Sequence, residues 1–249
     1  MRALRILLIV AVVLGGIFVA ADRIAVNMAE SQAADKIKTS QGLSSTPEIS
    51  IKGFPFLTQV MGKELDEVDV SLAGITATAD GRSVNVTEVE AQLRAVRINS
   101  SFSSAVADQA DGSARISYAD LTKAAPEGAT VSYAGAERAA KGQVKVTGPA
   151  VELLEGAGIP VPGSIKEELG DSTIDAYSTV VLRDGSTVQL KAVTLPKLPG
   201  PGMEDRLREI VDYDLEIAGM PSSVKLDKVE ATDAGLRFSG TGQNVSLTS

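Results

Sequence analysis

Histidine, cysteine and tryptophan are absent from all 249 residues of the chain. Without histidine the commonest general base, the usual proton shuttle and the most frequent zinc ligand are gone, which excludes Ser-His-Asp chemistry and most hydrolytic metal sites. Without cysteine there is no thiol nucleophile, no disulfide and no thiol to carry a lipid. Aromatic side chains are scarce, four tyrosines and five phenylalanines, so the stacking platforms of sugar sites are poorly supplied. No pair of acids stands out from the surface background as a carboxylate dyad. The phosphate-cradling patterns GxGxxG and GxxxxGK[ST] are also missing, and the Gly-Pro clusters are of the turn type. These gaps argue against an enzyme. No catalytic residue, cofactor or metal site is expected.

Charge is absent from one long stretch. Ile6 to Ala21 is sixteen uncharged residues between Arg5 and Asp22. Arg2 and Arg5 form the positive flank that holds a leading apolar segment on the cytoplasmic side, so the chain from Asp22 onward is expected to face outward. Val19 and Ala21 make an acceptable small-residue cleavage pattern, while sixteen residues fall just short of a comfortable membrane span. Residues 1–21 therefore read as a signal peptide or a retained membrane anchor, and residues 22–249 as one extracytoplasmic domain. Losing Arg2 and Arg5 takes the 24 basic residues to 22 against 32 acids, a net charge of −10 for that part. Such a surface repels nucleic acid and has no general basic patch for anionic lipid headgroups. Contact with a membrane surface must then be hydrophobic or made by a few placed arginines.

The periodicity changes along the chain. Asp22 to Lys38 has no glycine or proline and sets Val26, Ala29, Ala33 and Ile37 on one stripe, with Ile24 and Met28 off it, as in a helix leaving the membrane. Gly42 to Pro47 ends it. From Glu48 the period becomes two, with Ile49 and Ile51 on one side. A strand containing Leu65, Val68, Val70 and Leu72 runs to Ala79, and Asp80-Gly81 signals a hairpin into the alternating run from Val84 to Leu93. Asp184-Gly185 repeats the device between Val180 and Leu190, and Asp233-Ala234-Gly235 joins the last two strands. Met203, Leu207, Ile210 and Val211 recur at helical spacing and predict an amphipathic helix. Ser164 and Glu167 have the spacing of a capping box, which predicts a shorter helix starting at Ser164. The sum is an α+β fold: a large, curved antiparallel sheet with a long N-terminal helix and a second amphipathic helix on one face. Ile51 to Pro55 is echoed by Ile217 to Pro221, each followed by a Leu-Asp-x-Val step, as a diverged repeat would leave.

The most distinctive segment is Gly53-Phe54-Pro55-Phe56-Leu57-Thr58-Gln59-Val60, where two of the few phenylalanines flank a proline at a strand end. From the residues alone it is either a hydrophobic corner plugging the core or part of a binding wall. Together with Asp22-Arg23-Ile24-Ala25 and Ile217 to Pro221, it resembles the LmeA-type phospholipid-binding family of actinobacterial envelope proteins. That resemblance implies a relative of the tubular lipid-binding fold, in which lipid tails lie between a long helix and a strongly curved sheet. It implies a lining role for Phe54, Phe56, Leu57, Val60 and Met61, with Val26, Ala33 and Ile37 on the opposite wall. It implies no catalytic residues, and as partners a phospholipid or other acyl lipid and the membrane surface. The competing readings are a membrane-tethered structural or adhesive β-domain with a filled core and a protein partner, and a carboxylate-based hydrolase of envelope glycans.

Overall fold

A computed structural model describes residues 2–40, 42–79, 82–101, 104–125, 128–156, 158–195, 202, 204–205, 208, 212–216 and 222–247. The α+β class, the long N-terminal helix and the large antiparallel sheet are all present, and the strands fall into two sheets. The elements in order are α1 (Arg2–Ser40), β1 (Glu48–Lys52), α2 (Phe56–Gly62), β2 (Glu64–Ala79), β3 (Arg82–Ile98) and β4 (Ala105–Ile116). They continue with α3 (Tyr118–Ala124), β5 (Thr130–Tyr133), α4 (Ala136–Ala139), β6 (Gln143–Pro149), α5 (Ala150–Gly156), α6 (Gly163–Leu169) and β7 (Thr173–Arg183). The last four are β8 (Thr187–Thr194), β9 (Tyr213–Glu216), β10 (Val224–Thr232) and β11 (Gly235–Ser246). One sheet has the order β1-β2-β3-β4-β11-β10, the other β5-β6-β7-β8-β9.

The chain divides into two compact units, Met1–Ala73 with Glu90–Gly112 and Gly242–Ser249, and Gly74–Val89 with Ser113–Thr241. In the first unit α1 is continuous through the uncharged run Ile6 to Ala21 and beyond it, and it is long and apolar enough to cross a membrane by length and composition. β1 pairs antiparallel with β2, Ile49 opposite Val70 and Ile51 opposite Val68, and is an edge strand of its sheet.

In the second unit the even-numbered positions of β7 turn inward, from Ile174 to Val180. Ile174 and Ala176 carry a cluster filled by Leu153 and Leu154 of α5 and Leu169 of α6. Val180, with Val144 and Val188, packs against Leu236 and Phe238 of β11. Glycine permits close approach there: a Cβ at Gly240 would lie 2.5 Å from the Lys225 carbonyl oxygen. The Asp184-Gly185 hairpin forms as its chemistry demands, with positive φ at both residues (51° and 71°).

Three local expectations resolve differently. α6 starts one residue before Ser164, with Pro162 as N-cap and no side-chain cap, because the proline already sets the extended entry and leaves Ser164 inside the helix. A serine side-chain cap forms elsewhere, at α3, where the Ser117 hydroxyl accepts from Asp120 N–H (3.1 Å) and donates to the Asp120 carboxylate (2.6 Å). The apolar positions of the second amphipathic helix, Met203, Leu207, Ile210 and Val211, lie outside the described residues, as do the Asp80-Gly81 turn and Ile217 to Pro221. Described neighbours of that helix are tied to β8: Arg208 donates to the Ala192 carbonyl (3.0 Å) and Ala192 N–H donates to Asp212 (2.6 Å).

Between the two inward clusters of β7 sits Ser178, wholly buried, with its hydroxyl unpartnered among the described residues. A buried hydroxyl without a partner opposes folding, so Ser178→Ala is expected to stabilise the protein by about 1 kcal/mol. Chemical denaturation of the variant beside the parent checks this, and a loss of stability would reveal a partner for the hydroxyl.

Candidate functional site

Beyond the apolar run, α1 turns one face inward at Asp22, Val26, Glu30 and Ala34, with Ala25, Ala29, Ala33 and Ile37 half-buried beside them. These positions follow the 3.6-residue period, so a single straight face meets the sheet. The face carries two acids among small apolar residues, and each acid reaches backbone N–H groups. The Asp22 carboxylate accepts from Leu57 N–H at 2.9 Å and from the Arg23 guanidinium at 2.8 Å. Glu30 accepts from Ile51 N–H at 2.7 Å, satisfying a donor on edge strand β1.

Asp22 has no solvent exposure. The Leu57 N–H, the Arg23 side chain and the Phe56 N–H replace the hydration its carboxylate loses on burial. The reason is local to α2. Its first N–H groups have no helical acceptor, and Pro55, the N-cap residue, offers no side-chain cap. An acid from another helix fills that role and favours the positive end of α2.

Each residue of the distinctive segment has a place in this lock. Gly53 adopts φ +91°, and a Cβ there would lie 2.4 Å from Gln59 Nε2 and 2.6 Å from Asp66 Oδ2. Gln59 bridges β1 to β2, its amide donating to the Lys52 carbonyl (3.1 Å) and accepting from Asp66 N–H (2.9 Å). Thr58 closes the first turn by donating to the Pro55 carbonyl at 2.8 Å. The Phe54–Pro55 peptide is cis, and the Arg23 guanidinium lies 5.3 Å from the centre of the Phe54 ring.

The eight predicted lining residues divide. Phe56 and Val26 are buried in one apolar cluster with Ile49, Leu65, Val68, Leu93, Val96 and Ala107, and Leu57, Val60, Ala33 and Ile37 pack against it. Phe54 and Met61 stand outside that cluster, 57% and 83% exposed. A groove of about 360 Å³ opens between α1 and the segment leading into β1, lined by Glu30, Ser31, Ala34, Asp35, Thr46, Pro47 and Ile49. None of the eight lines it. Among the described residues no group of three acids is placed to hold a metal.

Asp22, Glu30 and Gln59 were not among the sequence-derived site residues. The available signal was an acid recurring at i and i+8 on an otherwise apolar stripe, since a charge on a buried face must find partners.

The first unit is thus a long helix laid by its alanine-rich face on antiparallel strands and pinned at two points. The family described as LmeA-like phospholipid-binding matches residues 20–241, and the chain belongs to that family. No curated protein and no solved structure matches it.

The lock makes two measurable statements. Gly53→Ala, which places a side chain at φ +91° and displaces the Gln59 amide, is expected to cost about 1 to 3 kcal/mol in chemical denaturation. Asp22→Ala is expected to lower the unfolding midpoint more than Asp22→Asn, because the amide keeps an acceptor for Leu57 N–H. Equal midpoints for the two Asp22 variants would show that the contact with Leu57 contributes nothing.

Proposed function

We propose that the chain is a non-enzymatic, extracytoplasmic phospholipid-binding protein, residues 22–249 serving as one working domain held at the membrane by the N-terminal segment. It takes an acyl chain into the seam between α1 and the sheet and serves lipid or lipoglycan homeostasis of the cell envelope. The observation that carries this reading is the membership of a phospholipid-binding family, whose match spans the helix face and the segment opposite it.

The seam has suitable chemistry. Ala29, Ala33 and Ala34 give α1 a low ridge, so parting the stretch beyond Glu30 from the sheet opens an apolar slot without breaking the contacts of Asp22 and Glu30. Burial of one sixteen-carbon acyl chain gains about 12 kcal/mol gross, at roughly 0.8 kcal/mol per methylene before ordering costs. That gain can offset the loss of helix-to-sheet contacts along a few turns. The acidic body, with 32 Asp and Glu in the chain, disfavours nucleic acid as a partner.

The test is lipid retention by the full chain, purified in detergent and washed until loosely bound lipid is removed. Phospholipid is expected to persist in native mass spectra of the parent protein. Leu57→Ala is expected to weaken uptake of a fluorescent phospholipid while costing less than the about 2 to 5 kcal/mol that the change costs in a filled core. Full destabilisation with no separate loss of binding would favour the other reading, a tethered β-domain with a filled core and a protein partner.

A further inference from the structure

We infer that Phe54, Met61 and Ile24 form an apolar collar seated in the outer headgroup layer of the bilayer that α1 crosses, fixed at that depth by the contacts of Asp22 and Arg23. The inference rests on the reading of α1 as a retained anchor. It adds a second contact with the same membrane.

Depth follows from the helix. Ile6 to Ala21 spans about 24 Å at 1.5 Å per residue, short of a hydrocarbon core of about 30 Å. Extending the apolar band to Ile24, which is 62% exposed, brings it to about 28 Å. Arg23, about half exposed, can carry its charge outward on its long side chain, and Asp22 interrupts the band in sequence only. Its carboxylate is withdrawn from solvent and bonded to Leu57 N–H and Arg23, so it demands no water at the boundary. A short span is relieved when flanking groups supply further apolar surface at the interface.

The 53–62 segment supplies it at that level. Leu57 N–H lies 2.9 Å from the Asp22 carboxylate, and the Phe54 ring lies under Arg23. The loop is therefore held at the helix residue where the apolar run ends. Phe54 and Met61 are exposed on it, 57% and 83%, although the neighbouring Phe56 is buried. The Phe54 ring is apolar throughout, and the long Arg23 side chain over it can hold its charge out among the headgroups. A net charge of −10 beyond Ala21 leaves general electrostatic attraction to anionic lipid unavailable, so apolar insertion is the contact this chain can make.

The absence of tryptophan from the chain gives a clean probe. Phe54→Trp and Met61→Trp are each made in the full chain and reconstituted into phosphatidylcholine–phosphatidylglycerol vesicles. Lys36→Trp is the reference, exposed on α1 about 21 Å beyond Asp22. The two collar variants are expected to emit to the blue of the reference. They should lose about half their intensity or more to lipid spin-labelled at the headgroup, and resist aqueous iodide. Emission and iodide quenching equal to Lys36→Trp, in a chain that resists alkaline carbonate extraction, would overturn the collar and leave the anchor standing. Release of the parent chain by carbonate would overturn both.

Discussion

The buried carboxylate of Asp22 is the contact on which the first unit depends. An ionised carboxylate removed from water is tolerated only where hydrogen-bond donors replace the lost hydration. Those donors exist because α2 begins at a proline that provides no cap, leaving Leu57 and Phe56 N–H in need of an acceptor. Each side thus resolves the other's deficit, across 35 residues of sequence. The Asp-Arg pair after the apolar run and the GFPFLTQ segment are two halves of one lock. Removing either leaves a buried charge or a set of unpaired donors.

What was legible in the sequence was what local chemistry decides. The 3.6-residue stripe through Val26, Ala29, Ala33 and Ile37 marks the inward face of α1, and the Asp-Gly pair at 184 marks a hairpin, because both signals act within a few residues. The long alternating runs became β2 and β3 for the same reason. Six of the eight proposed lining residues converge on one cluster, and for Val26, Ala33 and Ile37 the helical period of α1 points them there.

The rest depended on tertiary partners. Helices of seven residues such as α2, α5 and α6 complete fewer than two turns, too short for a period to show, and they form where caps and neighbours supply what propensity does not. Phe54 and Phe56 differ by two positions and look equivalent in sequence. The turn at Gly53 and the cap from Asp22 send one outward and the other into the core. Glu30 reads as a solvated charge on a helix until the edge of β1 is placed beside it.

The same arrangement reconciles acidic residues with an apolar helix face. Acids on the inward face of α1 would ordinarily weaken any apolar seam, yet both are consumed by backbone donors, Asp22 at the start of α2 and Glu30 at the edge of β1. Their charge is turned to holding the helix in place. Between these two pins, about 12 Å apart at 1.5 Å per residue, the face presents Ala25, Val26 and Ala29, and beyond Glu30 it presents Ala33, Ala34 and Ile37. The pinned stretch lies nearest the apolar run, and the stretch beyond is held mainly by packing of small side chains. Under the proposed lipid-binding role the seam would part at the far end of α1, because separating helix from sheet there breaks neither charge contact. The two acid contacts fix where the helix stands, and packing of small side chains holds the stretch beyond them.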